Sequence, residues 1–494
     1  MLSEIEKTRL ELSKCIDPKK KSKLGQFFTP IRIAQFMANL FTRTNHVNFH
    51  ILDAGAGLGI LSTAFVERWL NNNSNIISTN IDVFEVDNTL LPDLTQTLET
   101  YKKQYNLEIC IRNNDFIESA VDSISGNLFV KPLPRYTHAI LNPPYRKIKS
   151  DSKHRKYLRK VGIETVNLYS AFVALSLELL ENKGQLVAII PRSFCNGPYY
   201  HQFRKYIINK SAIKHIHLFK SRNKAFKDDQ VLQENVIIKL ERGGSQNDVK
   251  ISTSTDDTFK NLQEFTLPFK EILSSDEQNF IHIPISPHNN YNQILKSIRY
   301  SLNEIGIMVS TGPVVDFRVK EHLCKNYEVG TVPLLYPGHF NDQVLSWPKI
   351  GFKKPNAIKI NEKTNKWLFP NGFYCVVRRF SSKEEKRRIT AHIVKPENFP
   401  DAEMLGFENH LNIFHSSKKG LLKSLAYGLN TFLNMADVDE NFRRFSGHTQ
   451  VNANDLRSIK YPSRESLINL GEWVIQNGKP NNETIYKQLK SFDK

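Results

Sequence analysis

The run Leu141-Asn142-Pro143-Pro144-Tyr145, preceded by Tyr136-Thr137-His138-Ala139-Ile140, reads as a buried parallel strand stopped by two prolines. Proline donates no backbone hydrogen bond and restricts the residue before it, so the strand ends there with carbonyls left free. In open α/β sheets ligands bind beyond the carboxyl ends of the strands. A turn at that edge that combines an amide side chain, free carbonyls and an exposed aromatic makes a pocket for a planar group carrying an NH2. The Asn142 amide oxygen and the Pro143 carbonyl can each accept one amino hydrogen, with the Tyr145 ring against the plane. An exocyclic amine is a poor nucleophile because its lone pair is conjugated with the ring. Acceptors that favour its pyramidal form raise its reactivity by electrostatic preorganisation, with no covalent intermediate.

Working back from this strand, Phe49-His50-Ile51-Leu52 runs into Asp53-Ala54-Gly55-Ala56-Gly57-Leu58-Gly59 and the apolar helix from Ile60. Strand, glycine turn and helix form the entry unit of a nucleotide-binding α/β fold. Glycine at every second position departs from the dinucleotide fingerprint. Asp53 would repel a pyrophosphate but suits the ammonium of S-adenosylmethionine. The second strand, Ile81 to Phe84, ends at Glu85, placed for the two ribose hydroxyls, with Asp87 the competing acid. The third, Leu107 to Ile111, leads to Asp115 and Phe116, an acceptor for the cofactor's adenine amine and a ring to pack on it. Upstream, Phe28-Thr29-Pro30 precedes an amphipathic helix. Thr29 reads as its capping hydroxyl and Pro30 as its first residue, an end that attracts a carboxylate, which makes Phe28 and Thr29 candidate cofactor contacts along with Gly55 and Gly57 of the bend.

Downstream, Arg146, Lys147 and Lys149 open a cationic segment running to Lys160, suited to phosphate contacts. Strands over Gln185–Ile190, Ala212–Phe219 and Asn235–Leu240 bring the expected total to seven, mostly parallel. Phe226, on a loop at the active edge, is a candidate second wall for an extruded base. Composition changes at Arg242-Gly243-Gly244, so the expected boundaries are a basic helical segment at 1–22, an α/β domain at 23–243 and an α+β domain at 244–494.

The chain has 494 residues, 40% hydrophobic, and a formal charge of +18 with a pI near 9.4. A charge this large and this dispersed points to a polyanionic partner, nucleic acid before membrane. No run is apolar enough to span a bilayer, and the N-terminus lacks a signal-peptide core. The five scattered cysteines fit neither a zinc site nor a disulfide framework, and the chemistry above calls for no metal.

Together, Gly25–Pro30, Asp53–Gly57, Glu85, Asn114-Asp115-Phe116 and Asn142-Pro143-Pro144-Tyr145 resemble the adenine-N6 DNA methyltransferases of the gamma arrangement. The C-terminal half is similar to the modification methylases of the PstI/BsuBI group, on Trp347–Ile358, Arg378–Glu385 and Gly447–Leu456. The resemblance implies a Rossmann-like class I methyltransferase fold followed by a target-recognition domain, with S-adenosylmethionine as cofactor. It further implies a cytoplasmic, nucleoid-associated bacterial monomer that marks adenine in duplex DNA, paired with a separate restriction endonuclease. RNA, a protein glutamine, and an inactive DNA-binding role are the rival readings. A fused nuclease is disfavoured because Pro400-Asp401-Ala402-Glu403-Met404 lacks the expected lysine.

Overall fold

A computed structural model describes residues 2–15, 25–70, 76–105, 107–220, 234–273, 279–284, 298–341, 344–381, 385–445, 450–478 and 480–491. The chain forms two compact units, Met1–Pro287 and His288–Lys494. In the first, strands β1 (Asn48–Ala54), β2 (Ser78–Phe84), β3 (Glu108–Arg112), β4 (Tyr136–Leu141) and β5 (Leu180–Pro191) are joined by β6 (Ser211–Phe219), β7 (Asn235–Arg242), β8 (Val249–Ser254) and β9 (Gln263–Leu267). Their order is β3-β2-β1-β4-β5-β7-β6-β8-β9. The first five run parallel, and β7 lies antiparallel between β5 and β6. The sheet therefore has the seven expected strands plus two. β8 pairs parallel with β6, and β9 pairs antiparallel with β8. The glycines at 243–244 turn the chain between strands of one sheet, so the first unit closes after Pro287 and not at residue 243.

Both faces are covered, which is why the strands read as continuous apolar runs. Helices α1 (Leu2–Cys15), α2 (Ile31–Asn39), α3 (Ile60–Leu70) and α4 (Leu91–Tyr105) pack on one face, where Ile51, Ile81 and Ile140 point. Helices α5 (Phe116–Ile124), α6 (Lys153–Lys160), α7 (Leu168–Leu179) and α8 (His201–Lys210) lie on the other, over Leu52, Ala139 and Leu141. Successive side chains thus enter different cores, as the two-residue period of a strand requires. The parallel strands β1 to β4 bring Asp53, Glu85, Asp115 and Asn142 to the same edge.

The second unit is α+β. Met308–Thr311, Leu411–His415, Tyr374–Arg378 and Ala391–Val394 form a four-stranded antiparallel sheet, and the unit also holds a five-stranded one. Helices Lys423–Leu433 and Arg464–Asn477 meet backbone to backbone through two glycines. A Cβ at Gly428 would lie 1.8 Å from the Leu467 carbonyl oxygen, and one at Gly471 1.7 Å from that of Ser424. Alanine is the better helix former by about 1 kcal/mol, so close approach is what glycine serves here. Gly428→Ala should lower the melting temperature despite that gain, because overpacking costs about 1–3 kcal/mol or more. A raised melting temperature would show that the helices separate freely.

Candidate functional site

The strand-ending turn and the glycine bend touch. A Cβ on Gly55 would sit 3.8 Å from the Asn142 carbonyl oxygen and 3.9 Å from the Pro144 ring. Gly55 and Gly57 have φ of 82° and 57°, the left-handed region that L side chains rarely adopt. Between bend, turn and the ends of β2 and β3 lies a cavity of about 260 Å3. Phe28, Gly57, Glu85, Asp115, Asn142 and Phe172 are among the residues that line it.

Asn142 is tied at one end. Its Nδ2 donates to the Phe27 carbonyl (2.8 Å) and to Thr29 Oγ1 (2.9 Å). An amide nitrogen has two hydrogens to give, and both are used. The amide plane is therefore fixed with Oδ1 pointing away from the N-terminal segment. That segment is also held by the Tyr145 amide, which donates to the Gly25 carbonyl at 3.0 Å. Gly25, at φ 68°, leaves only 3.0 Å between a Cβ and the Tyr145 nitrogen. Thr29 consequently does not cap α2 as its sequence position suggests. Pro30 is the cap residue, and the first helical amide, Ile31, donates to Glu6 Oε2 at 3.2 Å. The carboxylate drawn to that helix end is the protein's own.

Tyr145 also differs from expectation. It is buried rather than exposed, 9% accessible, with its ring 5.5 Å from that of Phe27 and edge-on to Tyr169. Its hydroxyl lies 3.1 Å from both Asn142 Oδ1 and the Ile189 carbonyl, two acceptors for one proton. Burial pushes the phenol's pKa up, so it remains a neutral donor. Pro143 is buried and Pro144 half-buried. Phe226 lies outside the described residues.

Glu85 receives one backbone amide on each oxygen, Gly57 on Oε2 at 2.9 Å and Asp87 on Oε1 at 2.7 Å. Each oxygen keeps a lone pair for a hydroxyl, which suits a vicinal diol. Burial raises its pKa against the opposing effect of those amides. Asp87 instead binds Thr89 locally, so Glu85 is the acid on the cavity. Asp115 caps α5 through the Glu118 amide (3.2 Å), and its Oδ2 meets His154 Nε2 at 2.8 Å. Burial alone would raise the Asp115 pKa. The His154 hydrogen bond and charge outweigh it and hold the carboxylate below its usual range. His154 is correspondingly raised, chiefly by that bond. Phe116 packs at 5.0 Å from Phe172 and 5.1 Å from Phe84. Phe172 and His154 carry no sequence motif, and Phe27, although inside the Gly25–Pro30 stretch, was given no role of its own, so reading the chain missed the part these three play.

Arg146, Lys147 and Lys149 are exposed just beyond the turn, and Arg146 also lines the cavity. Further along, Arg155 and Arg159 pair with Glu164 and Lys153 with Glu118, so those cations are partly neutralised within the fold. Asp115, Glu118 and His154 are close enough to share a cation, but Lys153 holds Glu118 at 2.6 Å.

The Eco57I restriction-modification methylase family matches residues 3–226. The type II methyltransferase M.BsuBI of Bacillus subtilis is 53% identical over 480 residues, 97% of this chain and 95% of that protein. The type II methyltransferase M.PstI of Providencia stuartii is 42% identical over 479 residues, 95% and 93% of the two chains. Among solved structures, the cryoEM structure of the DrdV–DNA complex superposes with a TM-score of 0.53 at 12% identity. It covers 96% of this chain and 59% of that one, a likeness of fold alone.

Asp53 is placed differently from expectation. It lies fully buried beneath the glycine bend rather than on the cavity wall, its Oδ2 taking the Ser62 amide (3.2 Å) and hydroxyl (2.6 Å). It pins the bend to α3, and its Oδ1 has no hydrogen-bond partner. Burial pushes its pKa up to about 7, more than the Ser62 bonds pull it down, and Glu85 adds to the rise. A folded value above the ordinary 3.8 favours the neutral acid. That stability is fully present below about pH 4 and is lost as pH rises through about 7. Asp53→Asn should therefore flatten the fall in melting temperature between pH 5 and pH 8. Parallel pH profiles for the two proteins would mean that Asp53 does not titrate in this range.

Proposed function

The chain belongs to the type II restriction-modification methyltransferases, and on that premise we propose that it methylates N6 of adenine in a specific duplex DNA site, using S-adenosylmethionine. The observation that carries this reading is the orientation of Asn142. With both amide hydrogens held by Phe27 and Thr29, the end left for a substrate is an acceptor. An acceptor, with the Pro143 carbonyl beside it, selects an amine over a carbonyl or hydroxyl-accepting group. It also favours the pyramidal, nucleophilic form of that amine as positive charge develops on nitrogen.

The cofactor brings an electrophilic sulfonium methyl. Glu85 has the lone pairs to hold its ribose hydroxyls, Asp115 to accept its adenine amine, and Phe116 to pack on the ring, with Phe28 and the bend at Gly55 and Gly57 closing the wall. Direct pairing of Asp53 with the ammonium has no support from a carboxyl sealed under the bend. Asp53 would act by shaping that bend.

In duplex DNA an adenine amine is paired and stacked, so the base must leave the helix to reach the turn. Tyr145, with Phe27 and Tyr169 around it, would be the aromatic floor against which the flipped base rests. The exposed Arg146, Lys147 and Lys149 would take phosphates beside the pocket. Residues 288–494 would read the sequence around the target, and a separate endonuclease would cut unmodified copies of the same site. A monomer suffices, since all the groups named lie in one chain.

Asn142→Ala should cut turnover about a hundred- to thousandfold while cofactor affinity, read by calorimetry, is kept. Near-normal turnover would remove Asn142 from the chemistry. Thr29→Val keeps shape but frees one Asn142 hydrogen, and should lower single-turnover rates about tenfold. An unchanged rate would show that the Phe27 carbonyl alone orients the amide. Tritium transfer to duplex DNA, RNA and a glutamine peptide in parallel distinguishes the substrate classes, and labelling of RNA or peptide alone would overturn the DNA assignment.

A further inference from the structure

Nothing in the sequence marks His154, yet its imidazole stands in the wall of the cofactor cavity, Nε2 2.8 Å from Asp115 Oδ2. An ionised carboxylate has no proton to give, so Nε2 carries the hydrogen and donates it. The other Asp115 oxygen accepts from the Glu118 amide at the start of α5. The carboxylate is thus gripped on both oxygens by groups on two different helices, and each oxygen still has a lone pair. The imidazole is itself well placed: Ser152 caps α6 two residues before it, and Leu158 of the same helix is fully buried in the core.

Asp115 is 35% exposed, and with the helix amide as its only partner it would sample other rotamers. Fixing them before the ligand arrives removes an ordering cost from the binding step. A cation shared with Glu118 is the competing explanation of the cluster, but Lys153 is already bound to Glu118 at 2.6 Å.

We propose that His154 is a positioning residue for the nucleoside cofactor: its Nε2–H holds the Asp115 carboxylate in the rotamer that accepts the purine's exocyclic amine. The proposal rests on the reading of Asp115 as that acceptor. It makes the His154–Asp115 pair a selector between a 6-amino purine and a 6-oxo purine, whose oxygen would face a carboxylate and be repelled.

The test uses the full chain and two product-like ligands, S-adenosylhomocysteine and S-inosylhomocysteine, with affinities measured by calorimetry. His154→Ala should weaken the adenosyl ligand about tenfold and the inosyl ligand by less than about twofold. His154→Gln, whose amide N–H can reach the same oxygen, should recover most of the loss. At saturating cofactor, kcat should stay within about twofold for both variants, the effect falling on KM. Equal losses on both ligands, or none, would overturn the proposal while leaving the Asp115 reading intact. A wild-type protein that binds both ligands equally would overturn that reading and this proposal with it.

Discussion

The site depends on how one amide group is tethered. Asn142 leaves the sheet at the end of β4, and its side-chain nitrogen is bound by a carbonyl and a hydroxyl more than a hundred residues earlier in the chain. Without them an asparagine amide could turn over and present hydrogens to the pocket. An amine there would then meet a donor, and the site would lose its chemical sense. The tether works because the Gly25–Thr29 segment lies directly on the turn, with glycine at the point of closest approach. Each hydrogen bond contributes only about 1 kcal/mol net, but together they set which end of the amide is held by the protein and which is left to the cavity.

The same edge gathers three carboxyl groups around a cavity with apolar walls, and each is managed differently. Asp53 is sealed beneath the glycine bend, with one oxygen on Ser62 and the neutral form favoured. Glu85 faces the cavity with a backbone amide on each oxygen. Asp115 is held ionised by a helix amide and an imidazole. Burying charge is costly unless hydrogen bonds and charge offset it, and since each carboxyl takes two hydrogen bonds, the difference lies in burial, complete at Asp53 and least at Asp115, and in the imidazole that only Asp115 meets. What results is a pocket with acceptors at its ends and aromatic carbon between them.

Beyond the cavity, the net charge of +18 is not uniformly available. Arg155, Arg159 and Lys153 are engaged with Glu164 and Glu118, which order the loop and helix α6. Arg146, Lys147 and Lys149 stand exposed at the mouth of the turn. Part of the basic composition thus builds the protein, and part lies exposed beside the turn.

The sequence by itself determined the α/β class, the first seven strands, the order of the acids along the edge and the turn at Asn142. Buried parallel strands write continuous apolar runs, and prolines and glycines end them visibly. It could not determine where each side chain's hydrogen bonds go. Thr29 looked like a helix cap and serves Asn142; the α2 end looked open to a ligand and holds Glu6; Asp53 looked like a wall residue and lies under the bend. Tyr145 looked exposed and is buried, and His154 had no signal at all. In the same way the glycine pair at 243–244 read as a domain end, because the pairing of β8 with β6 joins segments that local composition does not connect. Backbone class follows from local pattern, whereas a polar group's partner is chosen by which segments the fold brings within about 3 Å of it, and that only tertiary structure decides.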